Sequence, residues 1–231
     1  MFSAAGIFGN DLPDRTVCLT FDDGPGETTQ QGGPGPRTLE LAQFLASQTI
    51  TATFFVVGEF VATHRHIVES VANLGHFIGN HTYNHPRLTD HDGEFAADQI
   101  LKTEQALSGI PRVLKLLRPP QGYWNADIAR SLNSTKASSY AGPIMWDIEA
   151  RDWEFWQRGR SAQKCAEAYI DRIQQVRKGI VLMHDSLFEE EIRSQLDALD
   201  MVKLVVGWLQ QNAYTIIGID SVPQVRNAIR V

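Results

Sequence analysis

Thr16-Val17-Cys18-Leu19-Thr20-Phe21 reads as a hydrophobic β-strand, and it runs directly into Asp22-Asp23-Gly24-Pro25. Side chains alternate between the two faces of a strand, so adjacent acids inside one would point oppositely and bury a carboxylate without a partner. At the end of a strand that conflict disappears. Gly24 and Pro25 favour a bend there, and both carboxylates can face one cleft with different tasks. A solvated Asp-Asp-Gly turn fits the same residues, and the later part of the chain decides between the two readings.

Working outward, strand and helix patterns alternate. Gly26 to Gly35, rich in Gly, Gln and Thr, reads as a mobile loop beside the carboxylates. Pro36 then opens a helix with Leu39, Ala42 and Leu45 on one face. Thr51 to Val57 is a β-branched and aromatic run ended by Gly58, hence a buried strand. His64 to Leu74 is helical with Gly75 past its end, and a short strand follows through Phe77 and Ile78 to Asn80. Phe95, Gln99, Ile100, Thr103, Ala106 and Leu107 form a helical stripe that stops at Gly109, and Val113 to Leu117 is the next strand. Asn125 caps a helix through Leu132. Ile144 to Ile148 is a strand, Ser161 to Val176 a helix, Ile180 to Met183 a buried strand, Ile192 to Gln211 a long helix and Tyr214 to Ile217 a last strand. This order predicts an α/β fold, a parallel sheet of about seven strands with helices outside it. Residues 1–231 read as a single domain, since no repeat, low-complexity block or linker interrupts them.

Each polar cluster of interest follows the C-terminal end of an expected strand, and in a parallel α/β barrel those ends share the face where loops build the active site. The second cluster is His81-Thr82-Tyr83-Asn84-His85-Pro86. Histidines four apart share one face of a helical turn, and Pro86 limits the helix to a single turn. With Asp23 they supply two imidazoles and one carboxylate, a three-ligand set that leaves room for water and substrate. An incidental HxxxH pair is the alternative in a chain with seven histidines. The third cluster is Arg118-Pro119-Pro120-Gln121-Gly122-Tyr123, whose arginine suits either a surface pair or a catalytic carboxylate. The fourth cluster is Trp146-Asp147-Ile148-Glu149-Ala150-Arg151-Asp152-Trp153, where Trp153, and Trp156 after it, suit core packing or stacking on a sugar. Last, Ile180 to Ser186 is a buried strand that delivers His184 to the same rim, as a structural histidine or a proton donor.

Composition narrows the classes. Of 231 residues, 43% are hydrophobic and 21% charged, and the net charge of -6 argues against nucleic acid or an anionic membrane and for a neutral substrate. Cys18 and Cys165 are too few for a disulfide framework and read as two buried thiols. No apolar run reaches the roughly 18 residues of a membrane span. Met1 to Asn10 lacks the basic start and apolar core of a signal peptide. The chain reads as cytoplasmic if Met1 is the native start, and as secreted or periplasmic if a leader has been removed.

The ordered set TFDDGP, HTYNHP, RPPQG, EARDW and VLMHDS, with ATFFVVG at Ala52 to Gly58, resembles the polysaccharide deacetylases, the family-4 carbohydrate esterases with the NodB-homology domain. The resemblance spans Thr20 to Ser186. It implies a distorted (β/α) barrel of about seven parallel strands and a divalent metal, usually zinc, with cobalt or another divalent ion able to serve. By the same resemblance Asp23, His81 and His85 are the metal ligands, Asp22 the general base, Arg118 its partner, His184 the general acid, and Leu182 part of the pocket for the acetyl methyl. A backbone N–H at Gln121 would stabilise the oxyanion, and Gln121, Gly122, Tyr123, Asp152, Trp153 and Leu182 would contact substrate.

Two departures stand out. Gln121 occupies a position that is usually aromatic in the family, which implies altered substrate preference. Glu149 occupies the place expected for the aspartate that orients the catalytic histidine; its carboxylate reaches about 1.5 Å further, so the contact to His184 must be rebuilt or supplied by another group. The resemblance implies removal of N-acetyl groups from N-acetylglucosamine units of chitin, chito-oligosaccharide or peptidoglycan. The alternatives are an O-deacetylase of acetylxylan and a non-catalytic carbohydrate-binding relative.

Overall fold

The computed structural model describes residues 1–28 and 34–229, and its first element is one that composition conceals. Phe2–Ile7 (β1) has only its two end residues buried, and it pairs in parallel with residues 142–144. Phe-Ser-Ala-Ala-Gly-Ile lacks the β-branched run that marks an inner strand. With it the described residues hold eight strands, one more than the sequence suggests.

Thr16–Asp22 (β2) is buried along its whole length. The chain then continues as Thr38–Ser47 (α1), Thr53–Val56 (β3), Gly58–Asn73 (α2), Phe77–Asn80 (β4), Gly93–Ala106 (α3), Val113–Leu117 (β5), Ala126–Asn133 (α4) and Gly142–Ile144 (β6). The second half runs Asp152–Gln157 (α5), Ala162–Val176 (α6), Gly179–His184 (β7), Glu190–Arg193 (α7), Ala198–Gln211 (α8), Thr215–Ile216 (β8) and Pro223–Ile229 (α9). The larger sheet is parallel throughout, ordered β5-β4-β3-β2-β7 with β8 against the start of β2. The helices lie outside it, as the alternating pattern predicts.

The ladder does not run continuously round a ring. Two isolated parallel bridges, Leu116 to Ala141 and Ile148 to Val181, carry residues 141–148 across the gap between β5 and β7. The strand expected at Ile144 to Ile148 therefore stops at Ile144. Beyond it the Asp147 carboxylate accepts from the N–H groups of Gly9 and Ile180, both at 2.8 Å, a side-chain anchor in place of a regular ladder.

Alternation along the strands separates two environments. Val17, Leu19 and Phe21 of β2 face the helices with Phe54, Val181 and Met183, and the Phe21 and Phe54 rings stack at 5.1 Å. Burying each such side chain contributes about 1.5–3 kcal/mol. Cys18 faces the other way, with Phe55, Leu116, Ile144 and Ile180. That same inner side of β2 and β7 carries the register pairs Thr20 with Leu182 and Asp22 with His184. Cys18 and Cys165 are both buried free thiols, as expected.

Several boundaries differ from the sequence reading. Helix α2 begins at Gly58, six residues before His64, because the N–H groups of Gly58 and Glu59 donate to the carbonyls of Thr82 and Tyr83, both at 2.9 Å. The residue where the sequence pattern starts, His64, has non-helical dihedrals and marks an irregular turn. The long helix expected from Ile192 to Gln211 is broken between α7 and α8. Leu196 within that break and Leu199 in the first turn of α8 are both buried, so apolar spacing continues where the helix does not. Asn125 caps α4 as expected, accepting from the N–H groups of Asp127 and Ile128. Within the loop expected from Gly26 to Gly35, residues 29–33 lie outside the described residues. Its near end is anchored, with the Gly26 N–H on Thr38 Oγ1 at 2.9 Å and Glu27 bridged to Arg37.

Candidate metal and catalytic centre

Asp22 ends β2 on the inner side, and Asp23 enters the turn with φ 71°, which swings its carboxylate to the same cleft. The two acids then acquire different neighbours. Asp22 Oδ1 accepts from Arg118 Nη1 at 2.7 Å, and the same nitrogen donates to Thr20 Oγ1 at 2.8 Å. Arg118 is fully buried, its Nε on the Ile144 carbonyl at 3.2 Å and its guanidinium 4.2 Å from the Phe55 ring centre. The arginine is thus the partner of Asp22 rather than a surface charge. Asp22 Oδ2 remains directed to the cleft, 3.7 Å from His81 Nε2.

His81 and His85 do not share a helical turn. Thr82 and His85 both have positive φ, 69° and 57°, and the segment is an irregular loop whose carbonyls cap α2. The rings converge by that route instead. His81 Nδ1 donates to the Arg118 carbonyl at 2.8 Å, the only polarity a carbonyl permits, which leaves the Nε2 lone pair facing Asp23. Asp23 Oδ1 lies 3.3 Å from His81 Nε2 and 3.2 Å from His85 Nε2. Tetrahedral zinc with its usual bond lengths would separate such ligand atoms by about 3.4 Å. Oδ1 is also buried with no hydrogen-bond partner. These three residues, whose ligand atoms lie within 4.8 Å of one another, fit a divalent cation. Charge agrees: burial alone would push the Asp23 carboxyl up, yet the His85 and His81 imidazoles beside it hold it well below the usual carboxylate range. Burial works against a charged His85 ring, and Asp23 outweighs it and raises that ring.

His184 receives its orientation from Asp152. Its Nδ1 donates to Asp152 Oδ1 at 2.7 Å and its backbone N–H to Asp152 Oδ2 at 2.9 Å. Asp152 is thus the other group that supplies this contact in place of Glu149, and, with none of its surface exposed, it sits behind the histidine rather than against substrate, which corrects that expectation. The start of α5 places the Asp152 carboxylate under the β7 end, whereas Glu149 lines the cleft, its carboxyl raised by burial and lowered in part by His184 and Arg151. Burial disfavours a charged His184 ring, but the charge and hydrogen bond of Asp152, with Asp23 and Asp22 further off, lift it to about 10. Asp152→Asn removes that charge, so the alkaline limb of the kcat/KM profile is expected to move down towards the ordinary histidine value of about 6.5. Activity at pH 8 should fall roughly 10–100-fold. An unshifted limb in a folded variant would remove Asp152 from this role.

These groups border a cleft of about 570 Å³ lined by Asp22, Asp23, His81, His85, Gln121, Tyr123, Trp146, Glu149, Trp153, Leu182 and His184 among others. Tyr123 is exposed at its edge with Arg87 stacked 3.4 Å from its ring centre, and Arg151 lies 5.1 Å from Trp153. Gln121 adopts φ 57° at the turn. Gly122, at φ 72°, backs onto the Trp146 ring, which a Cβ there would meet at 2.6 Å. Trp153 reaches the cleft, while Trp156 is core.

Residues 9–139 match the polysaccharide deacetylase family. The chain belongs to that family. This polysaccharide deacetylase is 34% identical over 183 residues to a chitooligosaccharide deacetylase of Rhizobium leguminosarum bv. trifolii, covering 78% of this chain and 75% of the relative. It is 31% identical over 200 residues to a peptidoglycan-N-acetylglucosamine deacetylase of Bacillus cereus, covering 86% and 66%. Among solved structures, the Bc1960 peptidoglycan N-acetylglucosamine deacetylase superposes with a TM-score of 0.74 at 25% identity, covering 90% of this chain and 88% of that one. BA3943 from Bacillus anthracis, a CE4 family pseudoenzyme, shares the fold with a TM-score of 0.68 at 19% identity over 90% and 65%. The fold therefore does not by itself carry activity; the residues in the cleft must.

Three parts of this deacetylase's site escaped sequence reasoning. Asp152, which the family resemblance assigns to substrate, instead stands behind His184. Asp185 follows His184 and turns inward, its carboxylate accepting from Thr38 Oγ1 at 2.5 Å beside Gly24, and burial pushes it up to about 7. Phe188 was not singled out at all, although its N–H donates to Asp23 Oδ2 at 3.2 Å. No spacing rule signals such a contact, because it depends on where the loop after β7 lies.

Proposed function

We propose that this polysaccharide deacetylase, acting as one domain over residues 1–231, removes N-acetyl groups from N-acetylglucosamine units of β-1,4-linked oligosaccharides or polymers, releasing acetate and leaving a free amine. One observation carries the reading. A carboxylate placed to accept a proton and an imidazole placed to donate one occupy a single register pair of adjacent strands, Asp22 and His184, beside the Asp23, His81 and His85 cluster. The relatives named for chitooligosaccharide and peptidoglycan deacetylation support the substrate class.

The chemistry follows from the residues. A divalent ion, zinc in this reading, would be held by Asp23, His81 and His85 and would supply Lewis-acid polarisation and an acidified water. Asp22, pinned through Oδ1 by Arg118, accepts a proton at its other oxygen as water adds to the acetamide carbonyl. The backbone N–H of Gln121 is assigned to the developing oxyanion, a contact of a kind worth roughly 10²–10³ in rate. Leu182 lies one alternation before His184 on the same side of β7 and receives the acetyl methyl. His184, protonated and held by Asp152, donates from Nε2 to the nitrogen as the C–N bond breaks. One proton leaves the water and one reaches the amine, so the step balances as amide plus water giving acetate and amine.

The test is acetate release from chito-oligosaccharides, peptidoglycan glycan and acetylxylan in parallel. Release from the N-acetylated glycans is the expected result. Release from acetylxylan alone would replace the amide reading with the ester one, and glycan binding without any acetate would make the chain a binding module.

A further inference from the structure

The segment after β7 builds a wall against the candidate metal ligands that the mechanism above does not use. The Phe188 ring stacks on His85 at 4.9 Å and 22°, and the Phe188 N–H reaches Asp23 Oδ2. One residue therefore touches two of the three ligands. What keeps it there is Arg193, at the end of α7. Its Nε donates to the Leu187 carbonyl at 2.6 Å and its Nη2 to the Phe188 carbonyl at 2.7 Å. The guanidinium lies 4.8 Å from the Phe60 ring centre, and Phe60 packs against Phe188 at 5.8 Å. Among the described residues Arg193 forms no ion pair with a carboxylate, so its donors go to backbone.

The geometry couples these contacts through one peptide plane. The Leu187 carbonyl and the Phe188 N–H belong to the same planar unit and point in opposite directions. Fixing the carbonyl on Arg193 fixes the N–H on Asp23. With Oδ2 so engaged, the Asp23 carboxylate cannot turn freely, and Oδ1, buried and without another partner, stays directed at the two imidazoles.

We propose that Arg193 is a positioning residue for the metal centre: by holding the Leu187 and Phe188 carbonyls it presents the Phe188 N–H to Asp23 and the Phe188 ring to His85, setting two ligands before the ion binds. The proposal rests on the metal reading of Asp23, His81 and His85. Groups that orient metal ligands typically contribute 10–100-fold in affinity. A planar fork that spans two successive carbonyls is a task for arginine that the point charge of lysine does not reproduce.

The test uses the full chain, stripped of metal, with zinc affinity read by competition against a chromogenic chelator and the visible absorption of the cobalt-loaded protein as a second signal. Arg193→Met is expected to weaken zinc binding about 10–100-fold and to alter the cobalt band. Arg193→Lys should also bind more weakly than wild type despite keeping its charge, and Phe188→Leu, which retains the N–H, should lose less than Arg193→Met. Melting of the metal-free proteins reports folding; if Arg193→Met does not fold, Arg193→Lys decides. Wild-type zinc affinity and an unchanged cobalt band in the folded Arg193 variants would overturn the role of Arg193 and leave the metal reading intact. A wild-type chain that binds no zinc or cobalt would overturn both.

Discussion

Asp22→Asn is expected to turn over acetylated chito-oligosaccharide about 10²–10⁴-fold more slowly than wild type, the usual range for loss of a positioned acid or base, and to melt earlier. Both effects come from one carboxylate. Asparagine can still accept from Arg118 but carries no charge and takes no proton from water. It leaves a fully buried guanidinium without its counter-charge, and breaking such a pair from one side costs about 3–5 kcal/mol. The remaining contacts of Arg118 to Thr20 and to the Ile144 carbonyl offset part of that. Combining Asp22→Asn with Arg118→Met separates the two roles. The double variant should regain stability relative to Asp22→Asn, because both charges are gone, and regain no activity. Acetate release with thermal melting checks this, and full activity in folded Asp22→Asn would eliminate the proposed base.

Removal of divalent metal should have an effect of comparable size. After dialysis against a strong chelator, turnover should fall roughly 10³-fold or more, since Lewis-acid stabilisation is worth several kcal/mol and each 1.36 kcal/mol is tenfold. Zinc or cobalt added back should restore it. The stripped protein should also melt at lower temperature, because an ion present at 100 times its Kd stabilises the folded state by about 2.7 kcal/mol. The loss of stability is expected to be local: the three candidate ligands lie at the mouth of the sheet, while Val17, Leu19 and Phe21 bury the body of β2 against the helices. Turnover that survives chelation would refute the metal reading.

The strand Thr16 to Phe21, the parallel βα order and the clustering of polar residues at strand ends were legible because each depends on near neighbours in sequence. In the structure alternation sets Asp22 and His184 on one side of their strands, and the turn at Gly24 and Pro25 lets Asp23 share the cleft, as the sequence suggests. The HxxxH spacing pointed to two rings that do converge on Asp23, but their convergence comes from two left-handed residues, not from a helical turn. The apolar spacing through Leu196 and Leu199 was real, yet it did not require an unbroken helix.

The sequence by itself placed the two acids, the pair of imidazoles, the arginine after β5 and the histidine that β7 delivers at strand ends, because short motifs there carry their residue types. Only the tertiary structure decided which acid stands behind His184 and what stands behind Asp23. Asp152 rather than Glu149 orients the histidine because α5 packs its first residue beneath β7. Arg193 reaches the metal corner only through the course of the loop from Leu187 to Phe188. Such contacts join segments with no shared period, and their selection rests on how separately folded elements pack.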